Sequence, residues 1–215
     1  MKRIIFILVV VISFALMGCN VVNRTWTKMS DKYSFENYYV DNGGVLRVNR
    51  VLIIPFTNSS DYAAAAKEVM DVFALELNKL NRFEVVNPEE NTGAMLPERL
   101  AKDGAIEDGD VRSICEAYGT DAVIFGEIKN YEPYKPFVLG IKFSMISADT
   151  NRTIWIVDET LDASMKKAAN AAKHYYYQQI DSDVYRSGLE VMENSIKMYT
   201  QFVCASMVST INGRE

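Results

Sequence analysis

The stretch from Arg50 to Phe56, "RVLIIPF", constrains the fold more than any other part of the chain. A nearly continuous apolar run of this length, closed by Pro55 and the turn-forming "TNSSD", fits a strand buried on both faces. Asp61 then offers a helix cap. Ala66, Val69, Met70, Phe73, Leu77 and Leu80 follow at helical spacing and form one apolar stripe. "NRFEVVN" reads as a second strand, broken by Pro88. A strand, a crossover helix and a strand form a βαβ unit whose two strands pair in parallel.

Downstream, a polar stretch from Pro88 to Gly109 carries a short helical pattern around Leu96 to Ala101. Asp110 can cap a helix with the stripe Val111, Ile114, Cys115 and Tyr118, and Gly119 stands where a glycine stop belongs. "DAVIFGEIKNY" is a third strand. "FVLGIKFSMISAD" alternates, with Leu139, Ile141, Phe143 and Met145 on one face and Gly140, Lys142 and Ser144 on the other. "RTIWIVDETLDA" follows a short turn at Asp149-Thr150-Asn151, where Asn151 tolerates the left-handed conformation; the two form an antiparallel hairpin. "ASMKKAANAAKHYYYQQI" is helical, and a last helix is expected from about Val184 to Ile211. Its stripe, Tyr185, Leu189, Met192, Ile196, Tyr199 and Val203, is either a core face or a helix-helix seam, hence a possible interface. The expected fold class is α/β: a single mixed sheet of about five strands in βαβ-αβββ order, with helices packed on it and a long C-terminal helix.

Ahead of this domain, placed at 47–215, the sequence has a different character. Lys2 and Arg3 precede an unbroken apolar run, Ile4 to Ile12, and after Ser13 the chain continues Phe14-Ala15-Leu16-Met17-Gly18-Cys19. Positive charge, apolar run and small residue are the parts of a secretory signal peptide, residues 1–18. Roughly 13 apolar residues are short for a membrane span, which needs about 20. Leu16-Met17-Gly18-Cys19 resembles a bacterial lipobox, with Met17 where a small residue is usual. The resemblance implies lipid on the Cys19 thiol, cleavage before it and acylation of the new N-terminus. Several acyl chains anchor stably where one binds reversibly. Asn20 is not the Asp that retains enterobacterial lipoproteins in the inner membrane, so an outer-membrane location facing the periplasm is expected. Residues 19–46 read as lipidated Cys and tether, about 30 Å long as a flexible coil. The tether's aromatics, Trp26, Tyr33, Phe35, Tyr38 and Tyr39, either fold back on the domain or meet a partner.

The net charge is −5, and removal of the leader takes Lys2 and Arg3 but no acid, leaving the remainder near −7. That balance argues against nucleic acid as a partner. Cys115 and Cys204 are either a disulfide, which an oxidising periplasm allows, or two buried thiols.

The chain lacks the residue patterns of common catalytic sites. Its one histidine is His174, in "KHYYYQQ". There is no Gly-x-Ser-x-Gly, no His-Glu-x-x-His and no phosphate loop. Ser59 and Ser60 follow the first strand, where α/β folds often bind ligands, but turn chemistry accounts for them. Asp158, Glu159 and Asp162 could cluster, yet neighbours on a strand point to opposite faces. No catalytic residue, metal or cofactor is expected beyond the covalent lipid on Cys19.

"VLIIPFTNSSDYAAAAKEVMDVFALELNKLNRFEVV" resembles the opening unit of the CsgG, LpoB, PelC and TolB amino-terminal superfamily of bacterial envelope lipoproteins. "GTDAVIFGEI" and "MISADTNRTIWIVD" resemble its later strand and hairpin, with Asn151 where Gly is usual. The resemblance covers roughly Arg47 to Ala163. It implies a non-enzymatic envelope lipoprotein with a possible homo-oligomer and envelope protein partners. CsgG-like members form secretion pores, PelC-like members form rings in exopolysaccharide export, LpoB-like members activate a peptidoglycan synthase, and TolB-like domains dock envelope partners. A pore needs amphipathic hairpins with strands of about 9 to 11 residues. The loops Pro88–Gly109 and Asn130–Pro136 are too polar or too short for that. A domain held close under the membrane favours a PelC-like export scaffold, with an LpoB-like synthase activator as the alternative.

Overall fold

The computed structural model describes residues 32–86, 88, 110–179 and 193–213. Its centre is one open mixed sheet of seven strands, and five helices are found among the described residues. The strands are β1 (Tyr38–Val40), β2 (Arg50–Ile53), β3 (Thr57–Asn58), β4 (Glu84–Val86), β5 (Ala122–Glu132), β6 (Val138–Ser147) and β7 (Thr153–Asp162). The helices are α1 (Asn42–Leu46), α2 (Ala65–Lys79), α3 (Asp110–Tyr118), α4 (Lys166–Gln179) and α5 (Ile196–Ser209), the last followed by a 3-10 turn, Thr210–Asn212. Strand order is β1-β7-β6-β5-β2-β4, with β3 also on β5.

The βαβ unit forms as its pattern requires. β2 and β4 pair in parallel, Val51 opposite Val85, and β2 also pairs in parallel with β5, Leu52 opposite Val123. Val51, Leu52 and Ile54 are fully buried because both faces of β2 are covered. Pro55 ends β2, but the chain resumes beside β5 as β3, Thr57 opposite Glu127. Between them Phe56 lays its ring over Gly126, where a β-carbon would lie 2.5 Å from ring atoms. Gly126 is therefore a close-approach glycine inside β5. β5, β6 and β7 form the antiparallel meander, Phe143 opposite Gly126 on one side and Val157 on the other. Asn151 takes a φ of 53° in the turn between β6 and β7.

Three expectations are corrected. The sheet has seven strands rather than about five, because β1 and β3 were hidden in segments read as tether and turn. The reading of residues 19–46 as tether extends too far: from Lys32 onward the chain belongs to the domain. β1 pairs antiparallel with β7, Tyr39 opposite Ile156, while Phe35 and Val45 are buried in the core. The aromatics Tyr33, Phe35 and Tyr38 thus fold back on the sheet. The last helix does not run unbroken from Val184 to Ile211. Ser195 is extended at φ −109°, ψ 116°, and its hydroxyl caps α5 by accepting the Met198 N–H at 3.4 Å. Asp61 is likewise no cap, since α2 begins after Ala64 without a side-chain cap.

Two layers of packing result. On one face α2 and α5 cover the sheet, with Phe73, Phe143 and Trp155 at the centre of the core. On the other, α3 covers Leu52, Ile54 and Val123 with the predicted stripe Val111, Ile114, Cys115 and Tyr118. Gly119 ends α3 at φ 62°, the left-handed conformation a glycine stop supplies. Trp155 Nε1 donates to Thr210 Oγ1 at 2.9 Å, tying β7 to the chain's final turn.

Candidate functional site

Residues of the expected interface stripe take different places. Tyr185, Leu189 and Met192 lie outside the described residues, as do Leu16, Met17, Gly18 and Cys19. Ile196 is half-buried against the main core. Tyr199 and Val203 are 1% and 0% exposed, packed inside this chain. The described half of the stripe is a core face, and neither Tyr199 nor Val203 presents a surface to a second subunit.

The chemistry-bearing residues are dispersed. His174 shares a hydrogen bond with Gln178 at 2.9 Å on the same helix. Asp158 pairs with Lys129 at 2.6 Å. Asp162 accepts the Ser164 N–H at 2.7 Å, which holds its carboxyl below the usual range. Glu159, one residue from Asp158, belongs to the opposite face. Asn58 organises its loop by accepting from Ser60 N–H and hydroxyl and donating to the Tyr62 carbonyl, so the serines serve a turn. No group of three or more His, Cys, Asp or Glu fit to hold a metal is found among the described residues. Cys115 and Cys204 are buried and free. They lie in separate clusters on opposite sides of the sheet, so they are the buried thiols of the alternative reading. Burial pushes both thiols up, away from the reactive thiolate.

Two concavities and one open surface remain. The first is a cleft of about 500 Å³ lined by Phe137, Tyr176 and Tyr199 with Ala163, Ala169 and Ala172. It exists because α4 presents alanines where other helices carry bulk: Ala168, Ala171 and Ala172 are buried. Phe137 and Tyr199 stand opposite, ring centroids 5.7 Å apart. Burial pushes the phenols of Tyr176 and Tyr199 up, so both are neutral donors. The Tyr199 hydroxyl is buried without a hydrogen-bond partner. Lys135 and Lys173 stand at the rim, Lys173 3.8 Å from Glu193. Such a cleft can hold an apolar group; it contains no base set against a nucleophile.

The second concavity, about 360 Å³, lies near the loop after β3, between Glu68, Asp71, Tyr131, Lys197 and Thr200. Tyr131 donates to Glu68 Oε2 at 2.7 Å and stacks on Tyr62 at 5.1 Å. The open surface is the outer face of β5 to β7. There Glu127, Lys142 and Asp158 stand abreast in register. Tyr39, 55% exposed, sits on β1 opposite Ile156. One-sided exposure is normal for an antiparallel meander. Both concavities escape sequence reading, since each joins residues far apart in the chain; "TNSSD" was the only pointer to the second.

No family model matches the chain, and neither does any curated protein. Among solved structures it is similar to the hypothetical protein CT253 from Chlamydia trachomatis, at 9% identity and a TM-score of 0.48, covering 77% of this chain and 96% of that one. It is also similar to the PelC dodecamer from Paraburkholderia phytofirmans, at 13% identity and a TM-score of 0.41, covering 58% of this chain and 80% of that one. A third similar structure is the C-terminal domain of LpoB from Escherichia coli, at 13% identity and a TM-score of 0.40, covering 52% of this chain and 81% of that one.

Proposed function

We propose that this chain is a non-enzymatic, lipid-anchored protein of the bacterial cell envelope that acts as an assembly scaffold held close to the outer membrane. The observation that carries the reading is the lipobox-like Leu16-Met17-Gly18-Cys19 so near the start of the fold. Because the domain begins at Lys32, only residues 20–31 separate the expected anchor from it. Even fully extended, that stretch spans at most about 45 Å. The domain is then confined to a shallow layer beside its membrane. The dispersal of His174, Asp158, Glu159 and Asp162 supports a binding role over a catalytic one.

Export of a polymer or protein, in the manner of a PelC-like ring, is the finer form of this reading. The short spacer favours it over the LpoB-like alternative, in which the domain must reach a synthase in the other membrane. Metabolic labelling with a clickable palmitate tests the anchor: the wild type takes up label and fractionates with membranes, and Cys19→Ser loses both. Persistent labelling of that variant removes the anchor assignment. Mass measurement in mild detergent tests the scaffold, for which a defined oligomer is expected. A clean monomer that stimulates a purified peptidoglycan synthase transfers the function to the alternative.

A further inference from the structure

We infer that the cleft between α4, α5 and the start of β6 is a lipid-binding site that lodges one acyl chain of an anionic membrane phospholipid. This goes beyond the anchor on Cys19 and rests on the envelope reading only for the supply of lipid. Four observations converge. The space, about 500 Å³, falls within the range of ligand pockets. Its walls are the rings of Phe137, Tyr176 and Tyr199 and the methyls of Ala163, Ala169 and Ala172, with no charged group among those six. The Tyr199 hydroxyl, on a residue 1% exposed, has no partner and calls for an acceptor, at a cost of about 1–3 kcal/mol while it has none. At the rim, Lys135 is exposed and makes no ion pair among the described residues, while Glu193 partly offsets Lys173.

Taken together these describe one occupant. An apolar chain fills the alanine-walled space, and a neutral carbonyl accepts from Tyr199. An anionic head group meets Lys135. A phospholipid offers the three in this order: acyl chain, ester carbonyl, phosphate. A free carboxylate is a poorer match for the buried hydroxyl, because the negative charge of Asp162 already acts on Tyr199. The basic rim is also opposite in sign to the chain as a whole, whose net charge is −5. It therefore favours an anionic head group locally where the whole molecule would repel one.

The test is photolabelling of the full-length protein with phosphatidylglycerol vesicles doped with a phosphatidylglycerol whose acyl chain carries a diazirine. Label is expected on peptides containing Phe137, Tyr176 or Tyr199. Ala169→Trp, which fills the cleft from α4, should lower that label at least tenfold. Tyr199→Phe, which keeps the ring and removes the donor, should lower it about two- to tenfold, the worth of one hydrogen bond. Lys135→Glu should lower it on phosphatidylglycerol but leave the weaker label from phosphatidylcholine vesicles unchanged. A melting curve confirms that Ala169→Trp is folded; if it is not, Tyr199→Phe decides alone. Label confined to other peptides, or label indifferent to both Ala169→Trp and Tyr199→Phe, overturns the site. The Cys19→Ser chain separates the two proposals. It should leave the membrane fraction in cells yet still take label in the cleft when mixed with vesicles.

Discussion

At the scale of single residues, the fold is sensitive where it leaves no room. Gly126 is bare because Phe56 occupies the space above it, 2.5 Å from where a β-carbon would sit. Gly126→Ala should cost about 1–3 kcal/mol through overpacking, read as a lowered urea midpoint with unchanged slope. Phe35 discriminates between two descriptions of the N-terminal segment. It is 6% exposed and packs edge-on with Tyr33 at 5.0 Å. Phe35→Ala should therefore cost about 3 kcal/mol or more, a loss that no residue of a free tether would show. An unchanged melting temperature would return Phe35 to the tether.

At the scale of elements, legibility in the sequence followed periodicity. β2 and β5 to β7 declared themselves because their side chains obey a period of two or form an unbroken apolar run, and Asn151 marked the turn between β6 and β7. α3 was readable from both its stripe and Gly119. β1 was not: Tyr38-Tyr39-Val40 is too short for a period, and its identity comes from pairing with Trp155, Ile156 and Val157, far away in the chain. The break at Ser195 was masked for the opposite reason. The four-three spacing runs straight through it, so a pattern of apolar residues conceals a change of backbone direction. If the Ser195 cap holds α5, Ser195→Ala should cost about 1 kcal/mol and Ser195→Asp almost nothing, by thermal melting. The cleft was invisible for a related reason. The alanines of α4 read only as helix formers, and what faces them is set by the tertiary path.

At the scale of the whole molecule, charge and burial set the conditions it withstands. Burial raises the phenols of Tyr131, Tyr175, Tyr176 and Tyr199 well above their usual range near 10. In the unfolded chain these groups would ionise from about pH 10. The stability they contribute is thus complete below that point and lost as the pH rises through it and toward the folded values. Absorbance at 295 nm should show these four phenols ionising only together with unfolding, as a steep alkaline step. Smooth titration of every tyrosine in a still-folded protein would contradict that. Oxidation should leave the molecule unchanged, since Cys115 and Cys204 are separated by the sheet. Its mass and melting temperature should be the same with and without reductant.

The edge position of β1 has a mechanical consequence. A pull on the N-terminus enters the domain through Phe35 and then a strand of three residues, held to β7 alone among the strands. β5 to β7 are bonded to one another along runs three times as long. Under load, β1 is the element that yields first. Its release lengthens the leash while the aromatic core around Phe73, Phe143 and Trp155 stays closed. A domain tied to a moving surface in this way carries its own shock absorber, one strand deep.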